Sequence, residues 1–277
     1  MIGLMQGRLT ESKSGKIQEF PKFSWEDEFP LLKELEINYL EWTVDWEDYE
    51  SNPIFTKDLQ FKILRLCQKY SIKIETITLD NFVEAPLGFK HSATGKTSNL
   101  SHFDWILSKL EGTNIEILVI PLVKESGISN QADLQNLIKL LPELQTRVSR
   151  SSKKIAFECE FDLVTLNHLV KSFSYFPNIG FNFDIGNSAS LGNDPEQEIY
   201  LLGKKIFNVH VKDRKLGGET VPLGQGNANF NTVFPALRSI GYNSRYILQA
   251  ARSKSISDFN LIKKYKEFCE NFGIVGG

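Results

Sequence analysis

The sequence has little of what marks secreted and membrane proteins. It holds only three cysteines, Cys67, Cys159 and Cys269, which are far apart and lie in apolar runs. An odd number of scattered thiols predicts no disulfide framework and favours a reducing compartment, so we expect a cytoplasmic protein. No apolar stretch approaches the roughly 20 residues that a membrane-spanning helix needs, and Met1–Met5 is too short for a secretion signal. We therefore expect no membrane association.

An excess of charge of one sign is also missing. The chain has 32 Lys and Arg against 34 Asp and Glu, which gives a formal net charge of -2. The two signs are mixed along the chain without a basic stripe, so we expect no nucleic-acid partner. What the chain does have is an ordinary globular composition, 41% hydrophobic, and a length of 277 residues. That length suits a single α/β barrel, which typically takes about 250 residues.

Short β-type runs alternate with amphipathic helical segments over the whole chain. The predicted strands are Met1–Met5, Tyr39–Thr43, Ile72–Leu79, Ile115–Pro121, Lys154–Glu158, Ile179–Asp184, Ile206–Val211 and Tyr246–Ala250. The predicted helices are Ser24–Glu36, Ile54–Tyr70, Asn99–Gly112, Asn130–Thr146, Leu163–Ser174, Pro195–Gly203, Phe230–Ile240 and Ser257–Phe272. Eight such units without a compositional break predict one (β/α)8 TIM barrel over residues 1–277, with an open doubly wound sheet as the alternative.

Four predicted strands in the second half end at a residue that can bind a metal. These residues are Glu158, Asp184, His210 and Gln249. In a closed parallel barrel the carboxyl ends of the strands share one rim, so the four side chains can converge on one ion. Two carboxylates, an imidazole and an amide suit Mn²⁺, Mg²⁺ or Co²⁺ better than a thiolate-type site does, with Zn²⁺ as a further candidate.

These residues belong to an ordered set of motifs that covers nearly the full chain. The motifs are MQGRL at 5–9, IQEFP at 17–21 with Trp25 and Glu28-Phe29, LEW at 40–42, DNF at 80–82, EAP at 84–86, FDIGN at 183–187, HVKDR at 210–214, GQGNANF at 224–230 and ILQ at 247–249. Together they resemble the sugar-phosphate isomerase/epimerase group of xylose-isomerase-like barrels. The resemblance implies a small sugar or sugar-phosphate substrate, one divalent ion on the four strand-end residues and, as in many such barrels, a homodimer.

Gln249 departs from the pattern of this group, in which many relatives have Glu at that place. In the group's 3-epimerases, two metal-bound carboxylates face opposite sides of the substrate carbon, and one removes a proton that the other returns. An amide cannot act as a base, although its oxygen is an acceptable ligand for a hard cation. The departure favours isomerisation by one carboxylate, Glu158, over epimerisation by the usual pair.

Further polar residues near the strand ends are candidates for proton transfer and substrate binding. Lys212 shares the strand face of His210 and is a candidate second acid–base group, with a solvated loop as the plain alternative. The substrate-binding candidates are Gln6, Arg8, Glu41, Asn187, Arg214 and Arg252. Arginine suits a phosphate or carboxylate, but surface ion pairs or core packing explain such residues equally well. Gly224 and Gly226 allow backbone N–H groups to approach an anion, or they form an ordinary turn.

We therefore expect a metal-dependent sugar or sugar-phosphate isomerase or epimerase that works through an enediolate, with Glu158 carrying the proton. The alternatives are a dehydratase of a polyol or keto-sugar, a catalytically silent sugar-binding barrel and a type IV endonuclease-like DNA-repair enzyme. The last is disfavoured because its chemistry needs several metal ions and many histidines. This chain has four, His91, His102, His168 and His210, and two of them fall on predicted helices.

Overall fold

The chain folds into a closed eight-stranded parallel barrel. A computed structural model describes residues 1–11, 17–47, 49–90, 98–253 and 255–275. The barrel strands are β1 (Ile2–Met5), β2 (Tyr39–Val44), β3 (Lys73–Leu79), β4 (Ile117–Leu122), β5 (Lys154–Cys159), β6 (Ile179–Asp184), β7 (Ile206–Val211) and β10 (Tyr246–Leu248). They are neighbours in chain order, and β1 pairs with both β2 and β10 to close the ring. The predicted (β/α)8 barrel is thus confirmed, and the open sheet is excluded.

Helices connect the barrel strands. They are α1 (Glu28–Glu34), α2 (Lys57–Tyr70), α3 (Asn81–Glu84), α4 (Leu100–Lys109), α5 (Gln131–Arg150), α6 (Leu163–Phe173), α7 (Ile185–Leu191), α8 (Pro195–Leu202), α9 (Phe230–Ser239) and α10 (Asp258–Glu270). Each of the eight predicted helices has a counterpart. Asn130, Asp162 and Asp194 act as N-caps, because their side chains accept hydrogen bonds from backbone N–H groups of the first turn.

Three elements at the carboxyl end of the barrel were not predicted. The short helix α3 begins two residues after β3, and α7 follows β6 directly. After β7, the two-residue strands β8 (Asp213–Arg214) and β9 (Thr220–Val221) form a small antiparallel ribbon. All three elements therefore lie at the carboxyl end of the barrel, next to the side chains at the ends of the strands.

Aromatic and aliphatic side chains fill the core. Phe173 of α6 packs against Phe157 of β5 and Phe181 of β6, with ring centroids 5.5 and 4.7 Å away. Trp42 is fully buried, and its indole N–H donates to Asn52 Oδ1 at 2.8 Å. Rings packed in this way hold the strands, and hence their ends, in fixed positions.

No helix in the described parts of the chain is long and apolar enough to cross a membrane.

Candidate active site

Three of the predicted metal ligands meet at the carboxyl end of the barrel. Glu158 lies near the end of β5, Asp184 ends β6 and His210 lies near the end of β7. Their ligand atoms all lie within 4.8 Å of one another, and all three residues are buried. His210 Nδ1 is 3.0 Å from Glu158 Oε2 and 4.0 Å from Asp184 Oδ2. We call these three residues the carboxylate–histidine cluster.

Glu41 contacts the opposite side of the His210 ring. Its Oε1 lies 2.7 Å from His210 Nε2 and accepts a hydrogen bond from Thr78 Oγ1 at 2.7 Å, while its Oε2 accepts one from Asn208 at 2.8 Å. A carboxylate at Nε2 favours the proton on that nitrogen and leaves the lone pair of Nδ1 for a cation. Glu41 is fully buried, so it lies behind His210 and not at the substrate pocket where the sequence predicts it.

The atoms of the cluster fit a divalent cation. Among the described residues, His210 Nδ1 and Asp184 Oδ2 are buried and have no aligned hydrogen-bond partner, despite their close neighbours. Buried polar atoms in folded proteins are nearly always hydrogen-bonded, so two such atoms in one cluster indicate a missing partner. Carboxylate oxygens with one imidazole nitrogen are a suitable donor set for a divalent ion.

The neighbouring charges in the cluster shift the pKa values of His210 and Glu158 in favour of their charged forms. Burial disfavours the charged form of His210, but Glu41 and Glu158 outweigh it and raise the pKa of His210 to about 10. Burial alone would raise the pKa of Glu158, yet His210 and Lys212 hold that pKa below its usual range. At Asp184 burial prevails and raises the pKa, although Lys212 opposes it. The cluster therefore favours a positive charge at its centre.

Lys212 connects Asp184 to Gln249. Its Nζ lies 2.6 Å from Asp184 Oδ2 and donates a hydrogen bond to Gln249 Oε1 at 3.1 Å. Gln249 in turn donates to Gln18 Oε1 at 2.8 Å. The amide oxygen that the sequence predicts as a metal ligand is thus in contact with an ammonium group, and its role as a ligand stays a prediction.

Gln18 and Asp80 extend this network, and neither was predicted as a site residue. Gln18 donates through its amide to Asp80 Oδ2, and its Oε1 accepts a hydrogen bond from Arg8 at 3.2 Å. A signal for Asp80 was present in the sequence, because it directly follows an apolar strand, as a functional strand-end residue does.

A cavity of about 920 Å³ opens beside the cluster. Glu158, Lys212 and Gln249 line it, and so do Asn187 and Arg214. Asn187 donates to Glu158 Oε1 at 3.1 Å and accepts from Arg214 at 2.9 Å, while Arg214 also pairs with Glu160 at 2.6 Å. The cavity has the size of a small-ligand site.

Of the remaining predicted substrate-binding residues, Arg8 lines the cavity, whereas Gln6 and Arg252 do not belong to its described lining. Arg8 lines the cavity but is buried, and it donates to the backbone carbonyls of Ile17 at 2.5 Å and Ala250 at 3.3 Å. Gln6 is fully buried and accepts a hydrogen bond from the Thr43 backbone N–H. Arg252 pairs with Asp258 and donates to backbone carbonyls of the first loop. Gln6 and Arg252 are not part of the described cavity lining.

The glycine-rich loop after β9 binds an internal anion. The backbone N–H groups of Gly224, Gly226 and Ala228 donate to the carboxylate of Asp213 at 2.9, 2.8 and 3.0 Å. These three donors are therefore used within the protein and do not face a phosphate.

The other histidines that the structure describes do not join the cluster. His102 lies on α4, where it packs among Tyr49, Phe82 and Trp105, and His168 lies on α6. His91 lies outside the described residues. Within the described ranges, the carboxylate–histidine cluster is the one group of three or more His, Cys, Asp or Glu found suited to a metal.

Comparison with known proteins gives a consistent result. The chain is 25% identical over 235 residues to L-ribulose-5-phosphate 3-epimerase UlaE from Salmonella heidelberg, with 81% of each chain covered. Its fold is similar to that of the 3-keto-D-glucoside 4-epimerase YcjR from E. coli, with a TM-score of 0.71, 12% identity and 98% of each chain covered. It is also similar to that of the IolI protein with a bound zinc atom, with a TM-score of 0.72, 17% identity and coverage of 98% and 97%.

The likeness to the L-ribulose-5-phosphate 3-epimerase supports the prediction of an isomerase-class enzyme. The model of the xylose isomerase-like TIM barrel family matches residues 29–269, which is most of the barrel. The chain belongs to the xylose isomerase-like TIM barrel family.

Proposed function

We propose that this protein is a metal-dependent isomerase or epimerase of a small sugar, in which Glu158 moves a carbon-bound proton. The observation that carries the proposal is the buried carboxylate–histidine cluster beside the cavity, with Nδ1 of His210 lacking an aligned partner among the described residues. The names of similar proteins, an L-ribulose-5-phosphate 3-epimerase and a 3-keto-D-glucoside 4-epimerase, support this reaction class.

Glu158, Asp184 and His210 would hold the ion, with Mn²⁺, Mg²⁺ and Co²⁺ as first candidates and Zn²⁺ as a further one. A bound divalent ion supplies positive charge that stabilises the enediolate formed when a proton leaves the carbon beside a carbonyl group. Gln249 is a candidate fourth ligand through its amide oxygen.

The residues of the chain supply the proton transfer. The amides of Asn182 and Asn187 donate to the two oxygens of Glu158, each at 3.1 Å, and so fix the orientation of its carboxylate. Glu158 lines the cavity, where its carboxylate can accept a proton from carbon. Lys212 also lines the cavity, where its ammonium group would donate to the substrate oxygen on which negative charge develops.

The charges of the cavity favour an uncharged sugar over a sugar phosphate. Its described lining holds nine carboxylate side chains and five cationic ones. Arg214, the cation best exposed to a ligand among the predicted contacts, already pairs with Glu160. Carboxylates accept hydrogen bonds from sugar hydroxyls, whereas they repel a phosphate.

The test is hydrogen–deuterium exchange in D₂O, followed by NMR with Mn²⁺ present, on a panel of ketoses and their phosphates. We expect exchange of one carbon-bound proton in at least one free ketose, and a loss of roughly 10²–10⁴-fold in Glu158→Gln. If a ketose phosphate exchanged its proton faster than the free ketose, the preference for an uncharged sugar would be wrong, but the proposed reaction would stand. A protein that binds a ketose and one Mn²⁺ without exchange or product would be the catalytically silent barrel.

A further inference from the structure

We propose that Asp80 is the second acid–base residue of this site and acts on the face of the substrate opposite to Glu158. This assignment rests on the proposed function and specifies it as epimerisation. It supplies the second carboxyl group that the sequence lacks at Gln249.

The strand register places Asp80 level with Glu158. Thr78 of β3 pairs with Val119 of β4, and two residues further along β4 Pro121 pairs with Glu158 of β5. Asp80 follows Thr78 by two residues, so it comes to the level of Pro121 and Glu158. Two strand spacings separate the backbones of Asp80 and Glu158 by about 10 Å, which leaves room for a sugar carbon between their carboxyl groups.

Asp80 directly follows β3, and Thr78, two residues earlier, donates to Glu41 inside the ring. Asp80, Pro121 and Glu158 all line the same cavity. The two carboxyl groups therefore flank one space from different strands.

Hydrogen bonds tie Asp80 to the position of the missing carboxylate. Gln18 donates to Asp80 and accepts from Gln249 at 2.8 Å, so one side chain joins the end of β3 to the end of β10. Lys212 is the rival for the second acid–base role. Its ammonium group pairs with the Asp184 carboxylate at 2.6 Å and donates to the Gln249 carbonyl at 3.1 Å, so we assign Lys212 to a substrate oxygen and not to a carbon-bound proton.

Burial, reinforced by Asp45 and Glu158, raises the pKa of Asp80 to about 7, against the opposing effect of Gln18 and His210. A carboxyl group with a raised pKa can hold the proton that it gives to a carbon atom.

The proton transfers then balance. Glu158 takes the proton from the carbon next to the carbonyl, and the electron pair of that C–H bond forms the double bond of the enediolate. The Asp80 carboxyl group gives its proton to the opposite face of the same carbon, which restores the carbonyl and inverts the centre. Exchange of both carboxyl groups with water in the cavity resets the enzyme.

The test uses the two epimers of a ketose that the wild-type protein interconverts, each incubated in D₂O with Mn²⁺. In Asp80→Asn, interconversion should fall roughly 10²-fold or more, while one epimer still exchanges its proton without inversion. Glu158→Gln should show the mirror pattern, with exchange only in the other epimer. Glu116→Gln changes an exposed carboxylate that is not part of the described cavity lining and should interconvert both epimers within about twofold of wild type.

Interconversion at the wild-type rate in Asp80→Asn would overturn the role of Asp80. The role would also be overturned if both epimers still exchanged their protons in Asp80→Asn while only one epimer exchanged in Lys212→Met. Absence of exchange in the wild-type protein would remove the proposed function itself, which separates the two failures. Circular dichroism and bound Mn²⁺ establish that each variant is folded, and Asp80→Ser provides a second variant for the same assay.

Discussion

Glu41 and His210 face each other across the inside of the barrel, with Glu41 Oε1 only 2.7 Å from His210 Nε2. Glu41 comes from β2 and His210 from β7, and two strands, β1 and β10, separate them in the ring. The contact favours a proton on Nε2 and directs Nδ1 towards Glu158 and Asp184. A strand that gives no ligand therefore sets the orientation of the one imidazole in the cluster.

Glu41→Gln should weaken metal binding while the barrel stays folded. The amide keeps the size of the side chain but removes the negative charge next to His210, and such partners typically contribute 10–100-fold to metal affinity. Titration calorimetry with Mn²⁺ measures the change, and Glu116→Gln, at an exposed carboxylate outside the site, is the control. Equal affinity in wild type and Glu41→Gln would contradict the orienting role.

Two substitutions at Gln249 test whether it binds the metal. A carboxylate adds charge to the donor set, so Gln249→Glu should bind Mn²⁺ roughly tenfold more tightly, and Gln249→Ala roughly tenfold more weakly. Competition with a fluorescent chelator reports both constants. If neither substitution moves the affinity, Gln249 serves only as the hydrogen-bond link between Lys212 and Gln18.

Asp213→Ala should destabilise the loop after β9 and with it the protein. The substitution leaves the N–H groups of Gly224, Gly226 and Ala228 without their carboxylate, and we expect a loss of about 2–4 kcal/mol. Asp213→Asn should lose less, because its carbonyl oxygen still accepts. Urea unfolding measures the difference, and Asp58→Ala, at an exposed position in the first turn of α2, should change stability by under about 1 kcal/mol. Similar values for the two alanine variants would refute the prediction.

Glu28 should make the stability of the protein depend on pH. It is fully buried and accepts hydrogen bonds from the backbone N–H groups of Gly7 and Leu9, yet burial raises its pKa from 4.5 to about 7. Folding therefore takes up a proton, so this contribution is complete below pH 4.5 and is lost as pH rises through 7.

The amide in Glu28→Gln does not titrate. The unfolding free energy of wild type minus that of Glu28→Gln should therefore fall by about 3 kcal/mol between pH 4 and pH 8. Urea titrations of both proteins across this range give that difference. A difference that stays constant with pH would mean that Glu28 has the same pKa in the folded and unfolded chains.

The long, periodic elements were predictable, and the short ones were not. Strands such as β6 and β7 are recognisable in the sequence as apolar runs, and N-cap residues such as Asn130 indicate where a helix begins. The four residues of α3 and seven of α7 are too few to display a helical period. The ribbon of β8 and β9 is equally short, and Asp213 of β8 accepts hydrogen bonds from the glycine-rich loop that follows β9.

The barrel and the meeting of Glu158, Asp184 and His210 could be inferred from the amino-acid sequence, because strand-end residues of parallel neighbours share a rim whatever the details of packing. The surroundings of these residues became clear from the folded structure. That Glu41 contacts His210 and that Asp80 lines the same cavity as Glu158 depend on contacts across and around the ring. Such contacts follow from strand register and barrel closure, which leave no periodic trace in the chain.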